Sequence, residues 1–170
     1  MDKKFLRKFD VKIQSLSNNK HSFLFEFNHS LLEHFSEEIE MKNTFGECNL
    51  EIVKTDMMLN ATFSIKGSTE LICDRTLKNF IHPINIENKI LFKFGDFDEE
   101  ISEEMIVIER NKSIINIAKY IYEFVILKIP VKRLHPSLKN EDNIDNFVYS
   151  TTKDEKRIDP RLELLKKLKK

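Results

Sequence analysis

Apolar and polar residues alternate along much of the chain, with the period of two that is typical of half-buried β-strands. The clearest stretch is residues 57–65, whose apolar face consists of Leu59, Ala61, Phe63 and Ile65. Further strands are predicted at residues 9–13, 21–27, 50–54, 69–73, 80–86, 89–94 and 105–108. Because short connections join these stretches, we predict a mainly antiparallel sheet that meanders or is barrel-like.

Turn-forming residues separate the predicted strands. Residues 17–20, with the sequence Ser-Asn-Asn-Lys, lie between the first two strands, which we therefore predict to pair as a hairpin. Gly67 and Ser68 separate the strand at 57–65 from the strand at 69–73. The β-rich part is thus predicted to consist of many short strands with tight connections.

Two segments have the periodicity of helices. Residues 29–39 follow Asn28, a residue type favoured at the N-cap, and predict a short helix. Residues 114–127 follow Ser113 and carry only a narrow polar stripe, which predicts one long apolar helix that is covered on most of its surface. Pro130 would end it. We favour a core helix packed on the sheet; the alternative is that part of its surface docks a partner.

The last part of the chain has a different composition. Residues 136–158 are rich in Asn, Asp, Lys, Ser and Thr and predict a flexible linker. Asp159 and Pro160 have the types favoured at the N-cap and at the first helical position, so a basic C-terminal helix is predicted at 159–170. We therefore expect an α+β domain at 1–135, followed by the linker and the C-terminal helix.

The composition adds only the broad class of protein. The chain has 170 residues, of which 41% are hydrophobic and 33% charged, so one globular domain with a sizeable core is expected. Its 14 phenylalanines, with no tryptophan, indicate that phenyl rings provide much of the packing. No apolar segment has the length of a signal sequence or a bilayer span, so we expect a cytoplasmic protein with no membrane partner.

The charges are unevenly distributed although they sum to zero, with 28 basic and 28 acidic residues. An acidic block occupies residues 96–104, and basic residues gather at both ends. The candidates for phosphate contact at the ends are Lys3, Lys4, Arg161, Lys166, Lys167, Lys169 and Lys170. A net charge of zero is unlike that of a simple polyanion binder, which is usually basic. The basic ends would nevertheless attract phosphate, whereas the acidic block would repel it. The alternative, which a charge run by itself favours, is that both ends are merely solvated.

Residues that could perform chemistry are sparse. The potential soft metal ligands Cys48, Cys73, His82 and His135 do not have the spacing of a zinc site, and two cysteines do not make a disulfide framework. The chain has 3 glycines and no glycine-rich phosphate loop. We therefore expect no catalytic residue, metal, cofactor or small-molecule substrate, and Cys73 is expected to be a small buried hydrophobe.

A charged pair follows the predicted strand at 69–73. Asp74 and Arg75 come directly after Cys73. The interpretation we favour is structural, with Asp74 capping a turn and pairing with Arg75. The functional alternative is that the Arg75 guanidinium forks onto a phosphate.

Three motifs in order resemble those of the YceD family of large ribosomal RNA subunit accumulation proteins. They are Cys73-Asp74-Arg75-Thr76-Leu77, the predicted helix running into Lys128-Ile129-Pro130, and Asp159-Pro160-Arg161-Leu162-Glu163-Leu164-Leu165. The order and spacing match across most of residues 45–170. Thr76 stands where the family commonly has a second cysteine, and residues 131–159 contain no cysteine. The resemblance therefore does not carry metal or redox chemistry over to this chain.

The resemblance implies a non-enzymatic bacterial or organellar factor that supports the synthesis, processing or stability of large-subunit (23S) rRNA in the cytoplasm. Its partners would be that rRNA or its precursor, a large-subunit ribosomal protein, or both. The candidate contact residues are then Asp74, Arg75 and the basic residues of both ends. The alternative is an adaptor that binds a ribosomal or other protein without contacting RNA. A small hydrolase or nuclease with an unrecognised site ranks third.

Overall fold

The computed structural model describes residues 3–36 and 41–138. Within them lie the strands β1 (Asp10–Lys12), β2 (Lys20–Asn28), β3 (Lys42–Lys54), β4 (Met58–Ile72), β5 (Asn79–Gly95), β6 (Glu99–Ser102), β7 (Met105–Glu109) and β8 (Ile114–Asn116). The α-helices are α1 (Lys3–Leu6), α2 (His29–Phe35) and α3 (Ala118–Lys128), and single 3-10 turns lie at Arg7–Phe9 and Pro136–Leu138.

Six strands form one open sheet in the order β2-β3-β4-β5-β7-β6. Every neighbouring pair is antiparallel except β5 and β7, which run parallel from Leu91 to Gly95 of β5. The predicted antiparallel α+β architecture is confirmed, and β2 to β5 form the predicted meander. The sheet is open rather than barrel-like, and β5 runs continuously where the sequence predicts two strands at 80–86 and 89–94.

The first strand does not pair with the second. β1 pairs instead with β8 in a separate two-stranded sheet, in which Val11 lies opposite Ile115 and both are buried. The chain after β1 is held by Lys54, whose Nζ donates to the carbonyl oxygens of Ile13 at 2.9 Å and Leu16 at 2.8 Å. The predicted hairpin is therefore wrong, because alternation shows that a strand has a buried face and does not show which strand pairs with it.

β4 runs unbroken through Gly67, which pairs directly with Gly46 of β3. A Cβ on Gly67 would lie 2.4 Å from the carbonyl oxygen of Phe45, and one on Gly46 would lie 2.6 Å from the carbonyl oxygen of Lys66 and 2.7 Å from Cζ of Phe27. The two glycines thus let the strands approach closely beneath the Phe27 ring. The predicted separation at Gly67 is wrong, because this glycine serves packing rather than a turn.

Helix α3 packs on the sheet around Phe63, whose side chain is fully buried. The Phe63 ring centroid lies 5.3 Å from that of Phe124 and 6.1 Å from that of Tyr120, and Tyr120 lies 5.7 Å from Phe92. Burying a side chain of this size contributes about 2–3 kcal/mol. Because α3 is rich in aromatic and β-branched residues, which are weak helix formers, packing rather than propensity stabilises it.

The opposite side of the sheet, which we call the outer face, is polar. Its positions on β4 are occupied by Asn60, Thr62, Ser64, Lys66, Ser68 and Glu70. This division between a buried and a polar face is the one that the period-two pattern predicts.

Helix α3 begins later than the sequence predicts, at Ala118, and has 11 residues. Asn116 fixes this start, since its Oδ1 accepts from the Ala118 N–H at 3.0 Å while its Nδ2 donates to the Leu6 carbonyl at 2.7 Å and to Asp10 Oδ1 at 2.6 Å. The predicted start after Ser113 is wrong, because the residues that follow it form β8. Helix α3 is therefore shorter than the long apolar helix that the sequence predicts.

Helix α2 begins after Asn28, as predicted, and ends at Phe35. Asn28 occupies the predicted N-cap position, but its side chain makes no capping hydrogen bond. Ser36 is already extended, with φ −149° and ψ 134°. The rest of the predicted helix, residues 37–40, lies outside the described residues.

The chain divides into two units, Met1–His135 and Pro136–Lys170. All the strands and α-helices above belong to the first unit. Of the second, the structure describes the turn at Pro136–Leu138, and the rest of the predicted linker and the predicted C-terminal helix lie outside the described residues.

We predict that Gly67→Ala destabilises the protein by about 2–3 kcal/mol, because the new methyl group must displace the backbone of β3. Gly95→Ala is the matched control, since a Cβ there meets chiefly one methyl group of Val107, at 2.4 Å. Urea denaturation of both variants measures the difference. Equal losses of stability would contradict the close approach of β3 and β4.

Candidate nucleic-acid interface at the Cys73 turn

The connection from β4 to β5 is a tight turn, residues 73–78. The Leu77 N–H donates to the Cys73 carbonyl at 2.9 Å, and the Cys73 N–H donates to the Lys78 carbonyl at 2.9 Å. Leu77 adopts a left-handed backbone conformation with φ 56° and is 77% exposed. A branched apolar residue rarely adopts this conformation, at a cost of about 1 kcal/mol, so contacts elsewhere must fix the turn.

Asp74 provides those contacts by pairing with Arg133, 59 residues further along the chain. The Asp74 N–H donates to the Arg133 carbonyl at 2.8 Å, and the Arg133 N–H donates to Asp74 Oδ2 at 2.7 Å. The guanidinium completes the pair, with Nε 3.2 Å and Nη2 3.1 Å from Oδ1. Asp74 thus makes structural contacts, but it pairs with Arg133, which no motif indicated, where we had favoured a pair with Arg75.

Cys73 lies beneath the turn with no solvent exposure. Hydrogen bonds to its sulfur, from the Thr76 hydroxyl first and then from the N–H groups of His135, Thr76 and Arg75, lower the thiol pKa from 9.0 to about 7, although burial acts in the opposite direction. The His135 N–H lies 3.3 Å from Sγ. By contrast, burial raises the pKa of the Cys48 thiol to about 12. Cys73 is therefore buried, as we expected of a small hydrophobe, and its sulfur also accepts hydrogen bonds.

The Asp74–Arg133 pair brings basic residues of two distant segments together. We call this set the turn patch; it consists of Arg75 and Lys78 from the turn and of Lys132 and Arg133 from the segment after α3. Arg75, Lys78 and Lys132 are exposed. The turn patch therefore gathers four basic residues from two segments of the chain at this end of the hairpin.

The predicted contact residues are only partly brought together. Arg75 and Asp74 lie in the turn, whereas Lys3 and Lys4 lie on α1, whose Phe5 has ring contacts with Phe9 and His34. The remaining candidates lie outside the described residues: Arg161, Lys166, Lys167, Lys169 and Lys170.

Sequence reasoning missed Lys132 and Arg133. The only sign of them is the run Lys-Arg-Leu-His shortly after Pro130, and nothing in the sequence relates this run to a turn 59 residues earlier. A contact at such a separation is set by the fold and not by local spacing.

Within residues 3–36 and 41–138, no three His, Cys, Asp or Glu side chains come together to hold a metal ion. No helix in these residues is long and apolar enough to cross a membrane.

We predict that the stability of the protein, relative to Cys73→Ala, rises from pH 7 to pH 9. The folded-state pKa of Cys73, about 7, lies below its ordinary value of 9.0, so the stabilisation is full above pH 9 and is lost as the pH falls through about 7. Urea denaturation across this range measures it.

The control for this prediction is Thr76→Val, which removes the strongest donor to the sulfur and should return the thiol pKa toward 9.0. Ultraviolet thiolate absorbance reports Cys73 selectively, because the pKa of Cys48 is about 12. If the stabilities of the wild-type protein and of Cys73→Ala changed in parallel with pH, they would contradict the lowered pKa of Cys73.

We predict that a double-mutant cycle of Asp74→Ala and Arg133→Ala gives a coupling energy of about 1–2 kcal/mol in urea denaturation. The expected coupling energy is limited because the side chains of Asp74 and Arg133 are 39% and 21% exposed. The exposed pair of Lys20 and Glu51, 2.7 Å apart, is the control and should couple by less than about 0.5 kcal/mol. A coupling energy no larger than that of this control would refute a stabilising role of the Asp74–Arg133 pair.

Comparison with known proteins identifies the family. The family model described as "Large ribosomal RNA subunit accumulation protein YceD" matches residues 61–169. "Uncharacterized protein YlbN" of Bacillus subtilis (strain 168) is 30% identical over 111 residues, which are 62% of this chain and 63% of that relative's length. No solved structure matches the chain. Because the family match covers more than half of the chain, including the turn and the Asp159-Pro160-Arg161 motif, this protein belongs to the YceD family.

Proposed function

We propose that this protein supports the accumulation of large-subunit (23S) rRNA by binding that RNA or its precursor through the turn patch, without enzymatic turnover. The description of the YceD family, to which this chain belongs, indicates a ribosome-related role. The observation that carries the proposal is the Asp74–Arg133 pair, which joins basic residues from two segments at one end of the β4–β5 hairpin.

The division of roles within the turn patch follows from the contacts. Arg133 pairs with Asp74, so its role is to position the patch. We assign the phosphate contacts to Arg75, Lys78 and Lys132 because these side chains are exposed. An arginine forks onto phosphate oxygens and a lysine binds them as a point charge, so such a patch binds the RNA backbone without reading its sequence.

Sequence-independent binding fits a factor that protects or holds an rRNA precursor. In this proposal the protein acts in the cytoplasm and recognises shape and phosphate spacing rather than bases. The basic C-terminal residues Lys166, Lys167, Lys169 and Lys170 add further phosphate contacts, as do Lys3 and Lys4 at the other end. The bound region of the rRNA then depends on which phosphates these separate groups can reach together.

We predict that the triple change of Arg75, Lys78 and Lys132 to Ser weakens binding to 23S rRNA fragments and lowers the slope of log affinity against log salt by about 2. The measurement is a salt-titrated gel-shift assay with the full chain. The matched control changes Lys42, Lys66 and Lys93, three exposed lysines of the outer face, to Ser.

Equal losses of RNA affinity in the two triple variants would show that the attraction is unspecific and would overturn the role of the turn patch. Salt-independent binding by the wild-type protein would favour a protein adaptor instead. The C-terminal contacts are tested in the same assay with a variant in which four lysines are changed to Ser: Lys166, Lys167, Lys169 and Lys170. Unchanged RNA binding by this variant would exclude a role for these lysines.

A further inference from the structure

A groove of about 510 Å³ lies beside helix α3, between this helix and the turn from β6 to β7. Its apolar side is formed by Tyr122, Phe124 and Leu127 of α3. Its polar side is formed by Glu100, Glu103 and Glu104 of the acidic block. The groove therefore combines an apolar surface with a row of carboxylates, and the function proposed above uses neither.

Both walls of the groove are held in place. The Tyr122 ring stacks on Phe35 of α2, with centroids 5.0 Å apart, and the Phe124 ring meets Phe63 edge-on at 5.3 Å. On the other side, the Leu91 N–H donates to the Glu104 carbonyl at 2.7 Å and fixes the turn on β5. A binding surface on rigid elements loses little conformational entropy when it is occupied.

The groove is open beside the part of β5 that precedes Leu91. Along the buried face of β5, Ile86 and Ile90 are covered, whereas Asn88 between them is exposed although it lies opposite the buried Phe63. β7 pairs with β5 only from Leu91 onward, so in the described part of the chain the preceding stretch of β5 has no strand on that side. An incoming segment therefore meets side chains and a backbone edge together.

The charge of the groove is negative. Glu100, Glu103 and Glu104 have no ion-pair partner among the described residues, and Lys89 is the one basic residue in the lining. Glu123, across the groove, pairs with Lys119 at 3.3 Å.

The charges of Glu100 and of the nearby Glu123 and Asp98 also act on the neighbouring Tyr120. Burial first, and then the charges of Glu123, Glu100 and Asp98, raise the pKa of the Tyr120 hydroxyl to about 12. An RNA backbone would be repelled at this place, whereas lysine or arginine side chains would be attracted.

We propose that this groove binds an amphipathic, lysine- or arginine-rich segment of a partner protein. Its apolar residues would pack on Tyr122, Phe124 and Leu127, of which Leu127 is 80% exposed, and its cations would face the three glutamates. The groove lies about ten residues along β5 from the turn patch, a distance of about 30 Å, so this proposal does not rest on RNA binding.

The test uses a synthetic fluorescent peptide with leucines at spacings of three and four and lysines at the other positions. Its binding to the full chain is followed by fluorescence anisotropy. We expect Glu100→Gln, Glu103→Gln and Glu104→Gln together to weaken binding about tenfold, and Leu127→Ser to weaken it at low and high salt alike.

The matched control is the triple variant Glu26→Gln, Glu47→Gln and Glu87→Gln, which removes the same charge from exposed positions of the outer face. It should change the affinity less than about twofold. Equal effects of the two triple variants, or equal binding of a peptide with the same residues in scrambled order, would overturn the proposal. Displacement of the peptide by an RNA fragment, or occupation of the groove by a second copy seen as concentration-dependent sedimentation, would overturn it as well.

Discussion

The charge-assisted pair of Asp74 and Arg133 is the interaction on which the rest of the site depends. It joins the β4–β5 turn to the segment after α3 through one backbone–backbone hydrogen bond, one hydrogen bond from the Arg133 N–H to the Asp74 carboxylate, and two contacts of the guanidinium with that carboxylate. The same junction places the His135 N–H on the Cys73 sulfur and Lys132 beside the turn. The pair thus adds to the two backbone hydrogen bonds that close the turn around the left-handed Leu77.

The zero net charge of the chain includes a cluster of basic residues and a cluster of acidic ones that lie apart. The turn patch gathers basic residues at the β4–β5 turn, while three glutamates line the groove beside α3, further along β5. In the two proposals above, phosphate binds at the first place and a basic peptide at the second.

The sequence predicts the elements of this fold better than their partners. Period-two alternation identifies the strands, and the antiparallel meander follows from their short connections. It does not show that β1 pairs with β8, because one strand's pattern says nothing about the identity of its neighbour. Gly67 resembles a break in the sequence, yet it serves the close approach of two strands. In the site, Asp74 and Arg75 could be found from their place at the end of a strand, whereas Arg133 could not, because only the packing of α3 on the sheet brings it there.

The most direct test of the central claim is sedimentation of ribosomal particles from growing cells at low ionic strength, with the protein followed across the gradient. We predict that the wild-type protein is found with precursors of the large subunit and that a folded Asp74→Ala variant is lost from them. Absence of the wild-type protein from every precursor, or undiminished association of the variant, would contradict the proposal that the Asp74–Arg133 pair positions the cations that hold rRNA.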